Sequence, residues 1–546
     1  MVGGMAPVEL TRRTAATRPT HVKMILPALV EATKPRYRPI KYSLFPPLGL
    51  ASLAGHLPPD TRIELCDEHV EPLVLEDQGP DCPDLVVIQC YITSARRSYE
   101  IADHYRQRGV RVAIGGLHPT SLPQEAAQHC DHLFLGPGDH SFPEFLADLA
   151  AGRPKPIYQS GPRTLDNLPP ARRDLIKRSH YLVPNSLVVT RGCPHSCDFC
   201  YKDSFFQGGR GFYTQQVDDA LAQIESLPGK HLYFLDDHIL GQRQFARELF
   251  GAMAGMGRLW QGAATVNSIL QGDLIERAAE AGLRSIFVGF ETISETNLSA
   301  HGKTQNLGRD YAEVIARLRD LGVMVNGSFV FGMDDDDTDV FKRTVDWAVS
   351  VGIETATFHV MTPYPGTALY DRMDLSGRIL HRDWDRYDTR QCVFRPARMT
   401  PDQLEEGYWW AYNEFYRWSS IWQAASAKPT PARRLRHVAY SAGWKKLEPL
   451  WSMLVRARRI PMMLPALESV LSGLGTIKPT ATATAEAATA TTATVGKILA
   501  DQTTSTVEVG EAAPAISMTS GPAPIVRRSG DRSDSPTVPP ARVGIG

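Results

Sequence analysis

SLVVTRGCPHSCDFCY, residues 186–201, joins a short apolar strand to a loop that carries Cys193, Cys197 and Cys200 in the spacing C-x3-C-x2-C. Thiolates are soft ligands that suit zinc or iron–sulfur clusters. Three of them are one short of a closed tetrahedral structural site, so the set leaves one coordination position open, as a catalytic metal centre requires. A structural zinc or a purely redox cluster is the alternative reading of the same residues.

Read outward, Ser186–Thr190 is the first of six apolar runs separated by helical patterns such as Gln216–Leu227. The others are His231–Leu235, Ala263–Val266, Ser285–Gly289, Asn326–Phe331 and Thr355–Val360. Six βα units predict a three-quarter-closed barrel, with its chemistry at the carboxyl ends of the strands. Toward the N-terminus, His21–Leu26, Thr61–Cys66, Asp84–Gln89, Val110–Ile114 and His132–Leu135 alternate with helical stretches at Pro46–Leu57 and Ser94–Arg108. That alternation predicts a doubly wound parallel sheet, whose ligands sit at the carboxyl ends of its strands. Gly115, Gly116, Gly136 and Gly138 fall at those ends, where a backbone can approach a ligand closely; plain turn chemistry is the alternative. No G-x-G-x-x-G follows the first strand, so a dinucleotide fingerprint is absent.

Toward the C-terminus, Gln403–Trp422 reads as a helix rich in aromatics, and Arg433–Lys446 and Leu447–Leu474 as further helices interrupted by Pro461 and Pro465. Trp409, Trp410, Tyr412, Phe415, Tyr416 and Trp418 either roof a hydrophobic pocket or fill the core of a helical cap. Arg433, Arg434, Arg436, Lys445, Lys446, Arg456, Arg458 and Arg459 lie among apolar residues, a pattern that suits an anionic membrane surface or a solvated basic face. Beyond residue 476 the hydrophobic pattern stops, and Thr and Ala give way to Pro, Ser and Gly.

The organisation expected is a disordered leader (1–20), a Rossmann-like domain (21–160), a connector (161–184), the barrel (185–380), a helical region (381–475) and a disordered tail (476–546). The chain has 546 residues, and 59 Lys and Arg against 60 Asp and Glu leave a net charge of −1. That balance argues against a surface built for nucleic acid. No stretch approaches the roughly 20 apolar residues that cross a bilayer, and the first residues lack the apolar core of a secretory signal, so a cytoplasmic protein is expected. Eight cysteines are too few for a disulfide scaffold; Cys66, Cys82, Cys90 and Cys130 are expected as buried small hydrophobes.

The cysteine loop resembles the signature of the radical S-adenosylmethionine (SAM) superfamily, C-x3-C-x-aromatic-C, with Phe199 as the aromatic and the loop after the first strand of a (βα)6 barrel. The resemblance implies a 4Fe–4S cluster on Cys193, Cys197 and Cys200. Its unique iron would chelate SAM, and cleavage of SAM would give a 5′-deoxyadenosyl radical that abstracts hydrogen from an unactivated carbon. By the same resemblance Asp236 and Asp237 stand where a group contacts the SAM amino group. Gly289 and Glu291 stand where a Gly-x-Glu lies near the ribose and amino group, and Lys303 is the basic residue for the SAM carboxylate. Gly327–Gly332 is similar to a strand that packs against adenine. Structural rim carboxylates and packing glycines are the alternatives for these positions, and Asp334–Asp337 reads as a turn and helix cap.

The N-terminal region resembles the cobalamin-binding module of one subgroup of these enzymes, which includes hopanoid C-methylases, anaerobic magnesium-protoporphyrin cyclase and antibiotic C-methyltransferases. Matching features are Pro46–Leu50, Gly115–Thr120 and Gly136-Pro137-Gly138-Asp139; relatives carry Gly-Glu-Gly-Glu at the last, so Pro137 and Asp139 depart from the pattern. Tyr364-Pro365-Gly366-Thr367 resembles an element that closes the barrel in this subgroup. No D-x-H-x-x-G follows the first strand, and His69 in Asp67-Glu68-His69 is expected as a surface histidine. Cobalamin is therefore expected base-off, without a protein imidazole on cobalt. The resemblance implies a cobalamin-dependent radical SAM C-methyltransferase acting on a hydrophobic, lipid or natural-product small molecule. Its electrons would come from a donor such as flavodoxin or ferredoxin, with no nucleic-acid partner and with peripheral membrane contact. Cyclisation, oxidation or C–C coupling by the same radical chemistry is the enzymatic alternative, and a non-catalytic cobalamin or redox sensor the alternative of another class.

Overall fold

Two parallel sheets of six strands each organise the chain, and a long helical segment follows them. The computed structural model describes residues 18–29, 32, 40–75, 81–161, 163–206 and 211–472. Residues 1–17 of the expected leader and all of the expected tail lie outside the described residues.

The first sheet runs β1 (His21–Leu26), β2 (Arg62–Asp67), β3 (Leu85–Gln89), β4 (Arg111–Gly115), β5 (His132–Leu135) and β6 (Ile157–Gln159), in spatial order β2-β1-β3-β4-β5-β6. Each pair is parallel, for example Met24 beside both Leu65 and Val87. β1 and β3 are almost wholly buried, as expected for strands covered on both faces. One face packs Ile25, Ile88 and Ile114 against Tyr99, Ile101 and Tyr105 of the helix Ala95–Arg106; the other packs Val22, Met24 and Val87 against Leu50, Phe142 and Phe145. The chain reverses direction about β1, so a crevice opens between the loops after β1 and β3. β6 escapes a sequence reading because it is a three-residue edge strand behind Pro154 and Pro156, where a missing donor is tolerated.

The second sheet is the partial barrel. Its strands are β7 (Ser186–Leu187), β10 (His231–Phe234), β11 (Leu259–Ala264), β12 (Leu283–Glu291), β13 (Met324–Phe331) and β14 (Thr355–Val360), in the order β14-β13-β12-β11-β10-β7. β8 (Thr190–Gly192) and β9 (Phe212–Thr214) form a separate antiparallel pair. The expected first strand, Ser186–Thr190, is thus cut short. The Asp236 carboxylate takes the backbone N–H groups of Val189 and Thr190, so they are diverted from the ladder. β11 starts earlier than expected because Trp260, fully buried against Phe234 and Phe250, belongs to it and donates its indole N–H to Ala281 O.

The expected helix Gln403–Trp422 is two helices, Pro401–Phe415 and Trp418–Ser426, with Arg417 extended between them. Thr400 and Gln403 form a reciprocal capping box at the first N-terminus. Tyr412 and Tyr416 reach β14: Tyr412 Oη accepts from Phe358 N, and Tyr416 Oη accepts from Ala356 N and donates to Ala356 O. These aromatics are cap core, whereas Trp409, Trp410, Trp418 and Trp422 face outward at 40–56% exposure, so they roof no pocket. Arg436 is buried and donates to the carbonyls of Gly322, Val470 and Leu471, which removes it from any solvated basic face.

A buried ion pair fixes the helical segment to the barrel floor. Glu354, just before β14, accepts from Val325 N and pairs with Lys428, with His437 Nδ1 at 3.8 Å. Burial alone would raise the Glu354 pKa, but the Lys428 ammonium and His437 together outweigh it and hold the carboxyl down at about 2. Replacing Glu354 by Gln strands a buried ammonium, and unfolding in urea should show a loss of about 3–5 kcal/mol. A carboxyl held at about 2 when folded and near 4.5 when unfolded adds its full stabilisation above pH 4.5 and loses it as pH falls toward 2. Acid titrations should therefore show the wild-type advantage over Glu354→Gln shrinking in that window.

Candidate active site

The cysteine loop is held by the residues that end β10. Asp236 accepts from Val189 N at 3.1 Å and from Thr190 N; Asp237 accepts from Gly192 N and from Tyr201 Oη, each at 3.1 Å. Burial pushes the Asp236 carboxyl up to about 7, and burial also raises Asp237. Both carboxylates thus act on the loop backbone. On the far side, Asp198 accepts from His301 Nδ1 (2.9 Å) and Arg372 (2.7 Å), and its own N–H meets His301 O. Phe199 packs on the barrel core and lies edge-on to His301, ring centroids 6.0 Å apart.

The three thiols are buried or partly buried, and burial raises the pKa of each; Cys197 adds to the rise at Cys193, and Cys197 and Cys193 add to that at Cys200, which reaches about 12. Gln305 Nε2 donates to Cys197 Sγ at 3.6 Å. Among the described residues no three His, Cys, Asp or Glu side chains gather round one metal-ion position.

Beside the thiols, Lys303 Nζ donates to Glu291 Oε1 at 2.7 Å. Both side chains are largely buried. Burial would lower the Lys303 pKa, but Glu291 first and the thiols Cys197 and Cys193 next outweigh it and raise it. Glu291 sits in left-handed backbone (φ 63°) at the end of β12, an unusual place for a non-glycine residue. Gly289 makes room for the pair: a Cβ there would lie 2.4 Å from Glu291 Oε1 and 3.2 Å from Lys303 Nζ. This ion pair across the cysteines was read from sequence as two separate groups.

Facing the loop is a cavity of about 440 Å³. One wall comes from the carboxyl ends of the first sheet: Pro27, His69, Tyr91–Ser94, Leu117, His118 and Ser121. The other comes from Tyr201, Tyr364, Pro365 and Tyr387–Arg390. His69 is therefore not a surface histidine: its Nδ1 meets Asp67 Oδ1 at 2.9 Å, Tyr42 stacks on it, and it lines the cavity. His118 is buried, with Nε2 on Glu125 (2.9 Å) and Nδ1 unpartnered. Of the four glycines at these strand ends, Gly116 and Gly136 take left-handed backbone that favours glycine, and all four lie close to neighbouring groups. A Cβ on Gly116 (φ 118°) would meet Cys90 O at 2.7 Å; Gly115 lies under Phe134, Gly136 against Phe205 O and Ser160, and Gly138 against Leu53. Next to them Asp139, the departure noted in the sequence, pairs through both oxygens with Arg191 at 2.8 and 2.9 Å. That pair ties the first sheet to the residue two before Cys193, and sequence alone gave no sign of it.

A model of the radical SAM superfamily matches residues 187–348, and one of the B12 binding domain matches residues 42–146. Bacteriochlorophyllide d C-12(1)-methyltransferase of Chlorobaculum tepidum is 30% identical over 359 residues, which cover 63% of this chain and 77% of that protein. The chain belongs to the cobalamin-binding branch of the radical SAM superfamily. This radical SAM chain is also similar to the C-8(2)-methyltransferase of the same organism, 28% identical over 78% of this chain and 97% of that one. Its fold matches the radical S-adenosylmethionine methyltransferase TsrM from Kitasatospora setae at a TM-score of 0.57 and 14% identity, covering 80% of this chain and all of that one.

The donor sets fit the cofactors of the branch. Three thiols suit a 4Fe–4S cluster with one open corner. A cation and a carboxylate side by side match the carboxylate and ammonium of SAM. The carboxyl ends of a doubly wound sheet line the cavity, the place where a cobalamin would sit. Replacing Arg191 by Ala, partly exposed as it is, should cost about 2 kcal/mol in urea unfolding. It should also speed the loss of iron to a chelator after anaerobic reconstitution, because the cysteine loop loses its tie to the first sheet.

Proposed function

We propose that this enzyme is a cobalamin-dependent C-methyltransferase that acts on an unactivated carbon of a small molecule. One arrangement supports the reading above the rest: Tyr201, the residue after Cys200, lines the cavity whose opposite wall is the carboxyl edge of the cobalamin-type sheet. Radical generation and methyl supply then face one shared cavity. When bound, the cluster and SAM supply a radical that takes hydrogen from carbon, and cobalamin supplies the methyl group.

The chain's own residues have assigned parts in this reading. Cys193, Cys197 and Cys200 bind the cluster, and Phe199 walls it. Lys303 holds the SAM carboxylate and Glu291 its ammonium, with Gly289 leaving the space. Asp236 and Asp237 position the loop through its backbone. Gly115, Gly116, Gly136 and Gly138 shape the cobalamin side, and the tyrosines of the cavity keep bulk water from the reacting carbon. The working divisions are a cobalamin module at 21–160, a connector at 161–184, a barrel at 185–380 and a helical region at 381–475. A flavodoxin or ferredoxin is the proposed reductant in a cytoplasmic setting. Among the described residues no helix is long and apolar enough to cross a membrane. Trp409, Trp410, Trp418 and Trp422, exposed beside Arg417, support peripheral contact with a membrane surface.

Product counting tests the proposal. Anaerobically reconstituted protein should release S-adenosylhomocysteine together with 5′-deoxyadenosine; 5′-deoxyadenosine alone with modified substrate would identify a cyclase, oxidase or coupling enzyme, and no cleavage of SAM a sensor. Cys197→Ala should lose both the cluster's visible absorbance and SAM cleavage.

A further inference from the structure

Gln305 reaches the cysteine loop directly. It is buried, and its Nε2 donates to Cys197 Sγ at 3.6 Å. Among the described residues no other side chain donates to the sulfur of Cys193, Cys197 or Cys200. Chemistry fixes which end of the amide faces the sulfur: a thiolate only accepts, so the NH2 end must point at it. Gln305 Oε1 is then turned away, buried and without a partner. A buried oxygen left unmatched is costly, so an apolar side chain would fill the same space better if packing were the only task.

The turn that carries this amide is pinned on both sides. Gln305 is the middle residue of the single 3-10 turn Thr304–Asn306. After it, Asn306 Nδ2 donates to the carbonyls of Gly289 at 3.0 Å and Phe290 at 3.2 Å, and Asn306 N meets Lys303 O at 3.0 Å. Before it, Lys303 is tied to Glu291 at the end of β12. A donor on so short and braced a turn is already oriented and has little room to swing away when the charge on the sulfur changes. The buried cations nearby each carry their own carboxylate: Lys303 has Glu291, and Lys202 has Asp203 at 2.5 Å. The amide dipole of Gln305 has no such counterpart.

We propose that Gln305 is a positioning residue for electron entry: its N–H···S bond to Cys197 favours the reduced cluster and so raises the cluster's reduction potential. The inference rests on the 4Fe–4S reading of the cysteine loop and not on methyl transfer. In the step concerned, one electron passes from a donor of flavodoxin or ferredoxin type to the cluster; no proton moves and no covalent bond forms or breaks. The added negative charge is shared by the cysteine sulfurs, so a hydrogen bond to one of them is stronger after reduction than before. Removing the donor therefore costs the reduced state more than the oxidised state.

A redox titration of the anaerobically reconstituted full-length protein, followed by the EPR signal of the reduced cluster and run without SAM, decides it. Gln305→Met and Gln305→Leu both remove the donor while filling the space differently, so a shift common to both reports the lost bond rather than altered packing. At the wild-type midpoint the ratio of reduced to oxidised cluster should fall about fivefold in each, roughly 40 mV at about 59 mV per tenfold for a one-electron couple. Iron and sulfide per chain, measured on the same samples, should match wild type. Midpoints equal to wild type, or raised, overturn the proposal. So do variants that lose iron without a change of midpoint, or that take up no cluster at all, because Gln305 is then a brace for the loop. Wild-type protein that takes up no iron and sulfide sinks the cluster reading, and the role of Gln305 with it. The expected midpoints in a protein that releases no S-adenosylhomocysteine count against methyl transfer alone and leave the role of Gln305 standing.

Discussion

Two adjacent carboxylates at the end of one strand govern the arrangement of everything around them. Asp236 and Asp237 take four donors from the segment 189–201, three of them backbone N–H groups. A loop with three buried or partly buried thiols has little of its own to hold its shape, since thiols are weak hydrogen-bond partners. Acceptors in a low-dielectric setting give strong, oriented bonds to that backbone. The cost appears in the strand itself, which ends at Leu187 so that its next N–H groups can turn to the carboxylates. Asp198, braced by His301 and Arg372, completes the clamp from the other side.

The charge pair beside the loop follows from the same logic. Lys303 and Glu291 are buried together, and each would be expensive there alone. The glycine at 289 and the left-handed backbone at 291 are local concessions that let the two meet. A ligand with both charges can exchange one paired set for another at little electrostatic cost, which an isolated buried charge could not offer. Strain and unusual backbone at such a place are the expected mark of a site rather than of a core.

Much of the architecture was legible from periodicity. Buried parallel strands read as unbroken apolar runs, and every β-strand expected in the first sheet is present with small shifts at its ends. The cysteine spacing carried the chemistry because ligand spacing is local in sequence. Contacts distant in sequence were not legible. Arg191 with Asp139, Trp384 with Glu125, and Tyr201 opposite Tyr91 each join segments that only the folded chain brings together. His69 was misread because a short Asp-x-His near a loop looks solvated until Tyr42 is stacked over it. For the aromatic helix, pocket roof and cap core were both open readings, because composition does not tell which of six rings point inward; tyrosines with hydroxyls to place on β14 turned in while tryptophans turned out.

The bidentate contact between Asp139 and Arg191 bears on how such modular enzymes can be recombined. The cobalamin-type module and the radical-generating barrel are separable in sequence, but here they share a joint whose length is set by one carboxylate on a short side chain. A module borrowed from a relative with the longer glutamate at that place would bring its carboxylate a methylene too far for the same arginine geometry. Exchange of the two halves between family members is therefore a matter of matching both sides of this joint, and residues 139 and 191 should travel as a pair in any chimera.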